Sequence, residues 1–100
     1  MTFVDLELHV IQWAEARKII PNSTPEAQYM KAISEMGELA DALLKKNPND
    51  IKDAIGDTVV CLINMCALLD INLTDCLEVA YLQIKNRKGS LLPNGVFVKQ

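Results

Sequence analysis

Two glutamates stand three residues apart in the stretch Lys31-Ala-Ile-Ser-Glu35-Met-Gly-Glu38. On a helix, positions i and i+3 share one face about one turn apart, so this E-x-x-E pair can hold one divalent cation between its carboxylates. Gln28 and Lys31 fall on the same stripe, opposite an apolar stripe of Tyr29, Ile33, Met36, Ala40 and Leu43. Taken alone the pair is unspecific, because acids at this spacing are common on solvated helix faces. A second polar stripe makes it more specific. Asp50, Asp53, Asp57 and Asn64 fall within a helical sector roughly 60° wide. Nearly every other position from Ile51 to Leu69 is apolar. A helix apolar almost all round is buried on most sides, which puts Asp57 and Asn64 inside the protein or in a cleft. A carboxylate there must be protonated, ion-paired or bound to a metal. The competing explanation is that Asp57 and Asn64 satisfy each other and only fix helix register. A cluster of oxygen ligands suits Mg2+ or Mn2+ far better than zinc.

The elements that must position these stripes follow from the chain's punctuation. Thr2 with Asp5 reads as the capped start of a first helix that runs through Trp13 to about Ile19. Pro21-Asn22-Ser23 breaks it, and Thr24-Pro25-Glu26 reads as cap, first-turn Pro and first-turn acid of a second helix ending near Lys46. Asn47-Pro48-Asn49 separates this from a third helix, about Asp50 to Leu69, and a fourth spans about Thr74 to Lys88 and ends at Gly89. Two short apolar runs around Pro93-Asn94-Gly95 then predict a small hairpin or an extended arm. So short a link between the second and third helices requires an antiparallel hairpin, in which Glu35, Glu38 and Asp57 lie at comparable heights. Gly37 and Gly56 stand mid-helix beside these acids at a cost of about 1 kcal/mol each. Close approach of a helix or a ligand explains them, and so does tight helix packing alone. Lys85-Asn86-Arg87-Lys88 is a basic cluster that either answers the helix dipole or reaches the phosphates of a metal-bound polyphosphate.

Composition bounds what this arrangement can be. One hundred residues, half of them hydrophobic, support one domain spanning 1-100 with one core. Five aromatics, four Gly and four Pro are too few for a sandwich or barrel, so the expected class is an all-α four-helix bundle. Thirteen acids against ten bases leave a net charge of −3, a poor match for nucleic acid or an anionic membrane. The opening residues carry Asp5 and Glu7 where a secretory signal carries cations, and the longest apolar run is broken by Asn64. Cys61, Cys66 and Cys76 form no C-x-x-C pair and read as small hydrophobes in a reducing cytoplasm. His9, with no second histidine, reads as a surface or packing residue. Three amphipathic helices of this size cannot fully cover the third, which predicts a subunit interface.

The ordered set of Lys31-Ala-Ile-Ser-Glu35-Met-Gly-Glu38-Leu-Ala, Asp53-Ala-Ile-Gly-Asp57-Thr-Val-Val and Ile84-Lys-Asn-Arg-Lys-Gly89 resembles the MazG-like nucleotide pyrophosphohydrolases. The tail Asn94-Gly-Val-Phe-Val-Lys99 looks like that of short phage-associated members, and the resemblance runs from about Trp13 to the end. It implies a four-helix MazG-like bundle completed as a homodimer or tetramer. It also implies Mg2+-dependent hydrolysis between the α- and β-phosphates of a nucleoside triphosphate, giving the monophosphate and pyrophosphate. The family pattern continues as E-x-x-D, whose aspartate matches Asp57. Its glutamate position is Ala54 here, and Asp53 or Asp50 is the substitute on the same face.

The chemistry can be assigned residue by residue. Glu35, Glu38, Asp53 and Asp57 are the expected metal ligands, with Mg2+ the expected ion and Mn2+ an alternative. Glu38 or Glu35 orients the attacking water. Lys31, Lys85, Asn86 and Arg87 bind substrate phosphates. Trp13 either stacks on the base or anchors the first helix in the core, the core role being preferred. A second reading is a non-catalytic helical interaction or regulatory module with a degenerate metal site. A DNA-binding helical regulator fits the acidic balance poorly.

Overall fold

The computed structural model describes all residues from 1 to 100. Five helices precede a small hairpin: α1 (Phe3–Ala16), α2 (Ile19–Asn22), α3 (Pro25–Lys45), α4 (Pro48–Leu68), α5 (Leu73–Ile84), β1 (Gly89–Leu91) and β2 (Phe97–Lys99). The class is all-α, and α2 is a one-turn addition to the four long helices expected from the sequence.

Local chemistry sets most boundaries. Thr2 and Asp5 form a reciprocal capping box, with each backbone N–H donating to the other's side chain at 3.0 and 3.1 Å. Thr24 Oγ1 accepts from the Ala27 amide at 3.1 Å ahead of Pro25 in the first turn of α3. Asn47 caps α4 through the Asp50 amide at 3.2 Å, so this helix begins at Pro48, two residues before Asp50. Proline is suited to that first position because its φ is already helical and its missing N–H would have no partner there. Lys46 in the left-handed conformation (φ 54°) turns the chain sharply between α3 and α4. The two run antiparallel and share the largest interface in the molecule.

α5 begins within one residue of the expected Thr74 and ends earlier than expected. Its N-terminus lacks a cap from Asn72. Glu7 of α1 supplies one instead, buried at 5% exposure. Glu7 Oε2 accepts from the Leu73 amide at 2.7 Å and the Thr74 amide at 3.3 Å, while Thr74 Oγ1 donates to Oε1 at 2.7 Å. A carboxylate at a helix N-terminus satisfies orphan donors and complements the dipole. This contact pins the start of α5, which leaves α4 at about 100°. The helix stops at Ile84, four residues short of Lys88, because Gly89 is drawn into β1 instead of ending a helix. β1 pairs antiparallel with β2 (Gly89 with Lys99, Leu91 with Phe97), and Gly95 at φ 86° makes the turn. A side chain at Gly89 would collide with the Val98 carbonyl and the Phe97 ring, which is why glycine is required there.

The side of α3 that faces α4 is its polar side. Glu35, Ala32 and Ala42 are buried, whereas Tyr29, Met30, Ile33, Met36 and Leu43 are 45–63% exposed. Apolar residues of α5 and of the hairpin are exposed as well. Ten of the hundred residues are buried, and the accessible surface is 7573 Å². A compact protein of this mass has about 5,700 Å². The radius of gyration is 15.9 Å, against about 13 Å for a compact chain of this length. No single helix is long and apolar enough to cross a membrane.

Close packing at the mid-helix glycines is absent, contrary to one of the sequence expectations. A Cβ added at Gly37 or Gly56 meets nothing within 4 Å. Alanine at either position should therefore raise unfolding free energy by about 1 kcal/mol, measured by chemical denaturation. Glu7→Ala should lower it by about 1–3 kcal/mol, because it leaves half-buried amide donors of α5 without their acceptor.

Candidate functional site

Packing the polar side of α3 against α4 creates a groove of about 460 Å³. From α3 it receives Gln28, Lys31 and Glu35, and from α4 Asp57, Cys61 and Asn64. Because the helices are antiparallel, Glu35 and Asp57 lie toward one end and Gln28 and Asn64 toward the other. Trp13 of α1 closes one side and also walls an adjoining apolar cavity of about 320 Å³, with Leu6, His9, Val10, Asp57 and Val60. Trp13 is thus no core anchor. It is 44% exposed at the junction of two cavities, with the Arg17 guanidinium 4.6 Å from its ring centre. His9, read from the sequence as a surface or packing residue, lines the apolar cavity.

Glu35 is the acid that burial isolates most. One of its oxygens pairs with Lys31 Nζ at 3.3 Å. The other, Oε2, is buried with no hydrogen-bond partner. Asn64, 3% exposed, likewise keeps a buried Oδ1 with no partner. The self-satisfied Asp57–Asn64 pair considered from sequence is therefore not formed. Seven helical positions separate the two residues by about 10 Å along the axis, beyond side-chain reach.

The charges around Asp57 repel. Burial first, then the Asp53 and Glu35 carboxylates, raise its pKa, and Lys31 offsets them in part. Glu38 is raised by the Glu35 carboxyl, first through a hydrogen bond formed when one of the two is protonated and then through its charge. Burial and the same carboxylates push the Cys61 thiol up, so it stands in the groove as a neutral thiol. Cys66 is pushed up to about 11 by burial and by neighbouring Cys76, and all three cysteines are free.

Glu38 and Asp53 border a separate acidic cavity of about 250 Å³ beyond Glu35, together with Asp41, Asp50 and buried Ala54. No three His, Cys, Asp or Glu side chains are drawn into a ready-made metal cage. The donor set does fit a hard divalent ion, with oxygen ligands facing one groove and a buried carboxylate oxygen lacking any partner. Lys85, Asn86 and Arg87 lie exposed beyond the end of α5, and none of them lines these cavities.

Comparison with known proteins matches the architecture. A cyanophage S-2L MazG-like pyrophosphohydrolase, solved with dGDP and three catalytic Mn2+ ions per active site, superposes with a TM-score of 0.71 over 100% of this chain and 98% of its own. The fold is the MazG-like all-α fold. Sequence identity to that structure is 17%, so the likeness is one of architecture. An uncharacterized 18.2 kDa protein from the rep-hol intergenic region of Haemophilus phage HP1 is 42% identical over 55 residues. That stretch is 55% of this chain and 34% of the phage protein, so the match spans about a third of the relative's length. No protein-family model matches.

The raised carboxylates give a signed pH dependence. A group whose folded pKa lies above its unfolded value, about 4 for an acid, stabilises most below that value and loses its contribution as pH rises through the folded one. Asp57 and Glu38 both act this way. Asp5, lowered by its hydrogen bonds to the Thr2 amide and hydroxyl, acts oppositely but only below about pH 4. In metal-free buffer these two groups should therefore lower the melting temperature as pH rises above about 4 and through their folded pKa values. Asp57→Asn should raise it at pH 7 and flatten that slope, as scanning calorimetry would register.

Proposed function

We propose that this chain acts as a divalent-metal-dependent nucleoside triphosphate pyrophosphohydrolase, cleaving between the α- and β-phosphates to give the monophosphate and pyrophosphate. The observation that carries this reading is Glu35: a buried carboxylate, one oxygen unpartnered, facing Asp57 across a groove in a MazG-like fold. The nucleotide and Mn2+ ions of the cyanophage structure support it by analogy of architecture.

Glu35, Glu38 and Asp57 would hold the ion, with Asp53 taking the part that Ala54 lacks. Bound Mg2+ or Mn2+ would neutralise phosphate oxygens and lower the pKa of an adjacent water. Glu38 is exposed and takes a proton more readily than an ordinary glutamate. Where it is not engaged by the ion, its carboxylate would orient the attacking water. Lys31 Nζ, whose side chain is 62% exposed, can turn from Glu35 to a phosphate. Trp13 offers its ring to the base.

Lys85, Asn86 and Arg87 are assigned to the outer phosphates of a site completed by a second copy. The exposed apolar side of α3 and the excess of about 1,900 Å² over a compact chain support such an assembly, since a stable interface covers about 800 Å² per partner. In this reading residues 1–100 form one MazG-like domain that works as a homo-oligomer in the cytoplasm.

Pyrophosphate release should appear over a nucleotide panel with Mg2+ or Mn2+, and no turnover by folded protein with any nucleotide would refute the assignment. Glu35→Gln should lower kcat about a hundredfold or more without lowering the melting temperature, because it removes a buried charge that one exposed lysine only partly offsets. Buried Ala54 supports one other reading, a non-catalytic interaction module. A metal-induced rise in melting temperature that Glu35→Gln and Asp57→Asn abolish would count against it.

A further inference from the structure

No residue of α5 is buried, and the side-chain hydrogen bonds that reach it from another helix all come from Glu7 at its start. The chain leaves α4 in a tight turn, where the Cys66 carbonyl accepts from the Leu69 amide at 3.0 Å and the Ile71 amide at 2.9 Å. This fold-back sets the first turn of α5 across the end of α4 at about 100°. Cys66 and Cys76 meet at that joint. Cys66 on α4 is 3% exposed, Cys76 on α5 stands beside it within thiol hydrogen-bonding reach, and the Glu7 carboxylate is close by. Both cysteines are free thiols, and neither lines the groove between α3 and α4 or its neighbouring cavities. Packing as a small hydrophobe accounts for Cys66 but not for Cys76, which is exposed.

We propose that Cys66 and Cys76 are an oxidation site, a thiol pair that a peroxide converts to a disulfide stapling α5 to α4. Cys76 is the thiol that a dissolved oxidant reaches. Its sulfur attacks the O–O bond of hydrogen peroxide, giving a sulfenic acid and one water. The Cys66 sulfur then attacks the Cys76 sulfur and the S–O bond breaks. The departing hydroxide takes the Cys66 proton and leaves as a second water. Two thiols are thereby oxidised to one disulfide, and both peroxide oxygens are reduced. Burial and Cys76 push the Cys66 thiol up to about 11, so the second step is the slow one and quickens as pH rises. In a reducing compartment such a bridge forms transiently and responds to oxidant. It constrains the unfolded chain, and in the folded one it fixes the helix that leads to Lys85, Asn86 and Arg87.

The test uses the full chain, reduced, freed of reductant, exposed to hydrogen peroxide and then quenched with a thiol-alkylating reagent. Peptide mapping should find a Cys66–Cys76 bridge within one chain, with Cys61 still a thiol. The melting temperature should rise by about 10 °C, and dithiothreitol should reverse the rise. Amide hydrogen exchange in the first turn of α5 should slow on oxidation. Cys76→Ser, at an exposed position, should abolish the bridge and the rise while leaving the melting temperature of the reduced chain nearly unchanged. Three outcomes would overturn the proposal. One is a sulfenic or sulfinic acid at Cys76 with Cys66 still reduced. The second is a bridge between two chains or to Cys61. The third is a Cys66–Cys76 bridge that fails to raise the melting temperature, since the folded joint would then not accommodate it.

Discussion

The rest of the structure depends on the polar side of α3 packing against α4, which brings Glu35 and Asp57 to one groove. Glu35 is buried with one oxygen unpartnered, and Asp57 is raised by its burial and by Asp53 and Glu35. Such an arrangement is unfavourable for an isolated chain, because buried like charges repel and the single lysine nearby compensates only one oxygen. The antiparallel hairpin with its sharp turn at Lys46 keeps these groups together nonetheless. A bound cation would offset that repulsion and stabilise the fold.

The same choice of faces explains the open shape. Because α3 turns its acids toward α4, its apolar stripe faces outward. α5, anchored at its start by Glu7, leaves α4 at about 100° and does not fold back to cover that stripe. The outcome is a chain with few buried residues and an extended outline. Amphipathic helices normally bury the apolar side and wet the polar one. Here the inversion makes both the groove and the exposed apolar surface consequences of one packing decision.

Much of this architecture is legible in the residues. Caps at Thr2, Thr24 and Asn47 mark helix starts through local hydrogen bonds, and Asn94-Gly95 marks the hairpin turn, so short-range chemistry suffices. The end of α5 is not legible in the same way, since Gly89 suits a helix stop as well as a strand start. Its true role depends on Val98 and Phe97, which lie against it only once the hairpin closes. Glu7 gives no signal either, being an acid on a helix like any other until the start of α5 arrives beside it. Trp13 has the composition of a core anchor, and only the path of α1 across α4 makes it a wall between two cavities.

The helical class, the order of the elements and the two polar stripes can be read from the residues, because periodicity, capping and turn chemistry act over a few positions. The tertiary structure alone decided which side of α3 faces inward, which acids share a cavity, and which polar atoms are left without partners. Those outcomes depend on residues far apart in the chain meeting at distances that no local pattern encodes. Thus Glu35 and Asp57 face one groove, Asn64 and Asp57 stay two turns apart, and Lys85, Asn86 and Arg87 remain outside the cavities of their own chain.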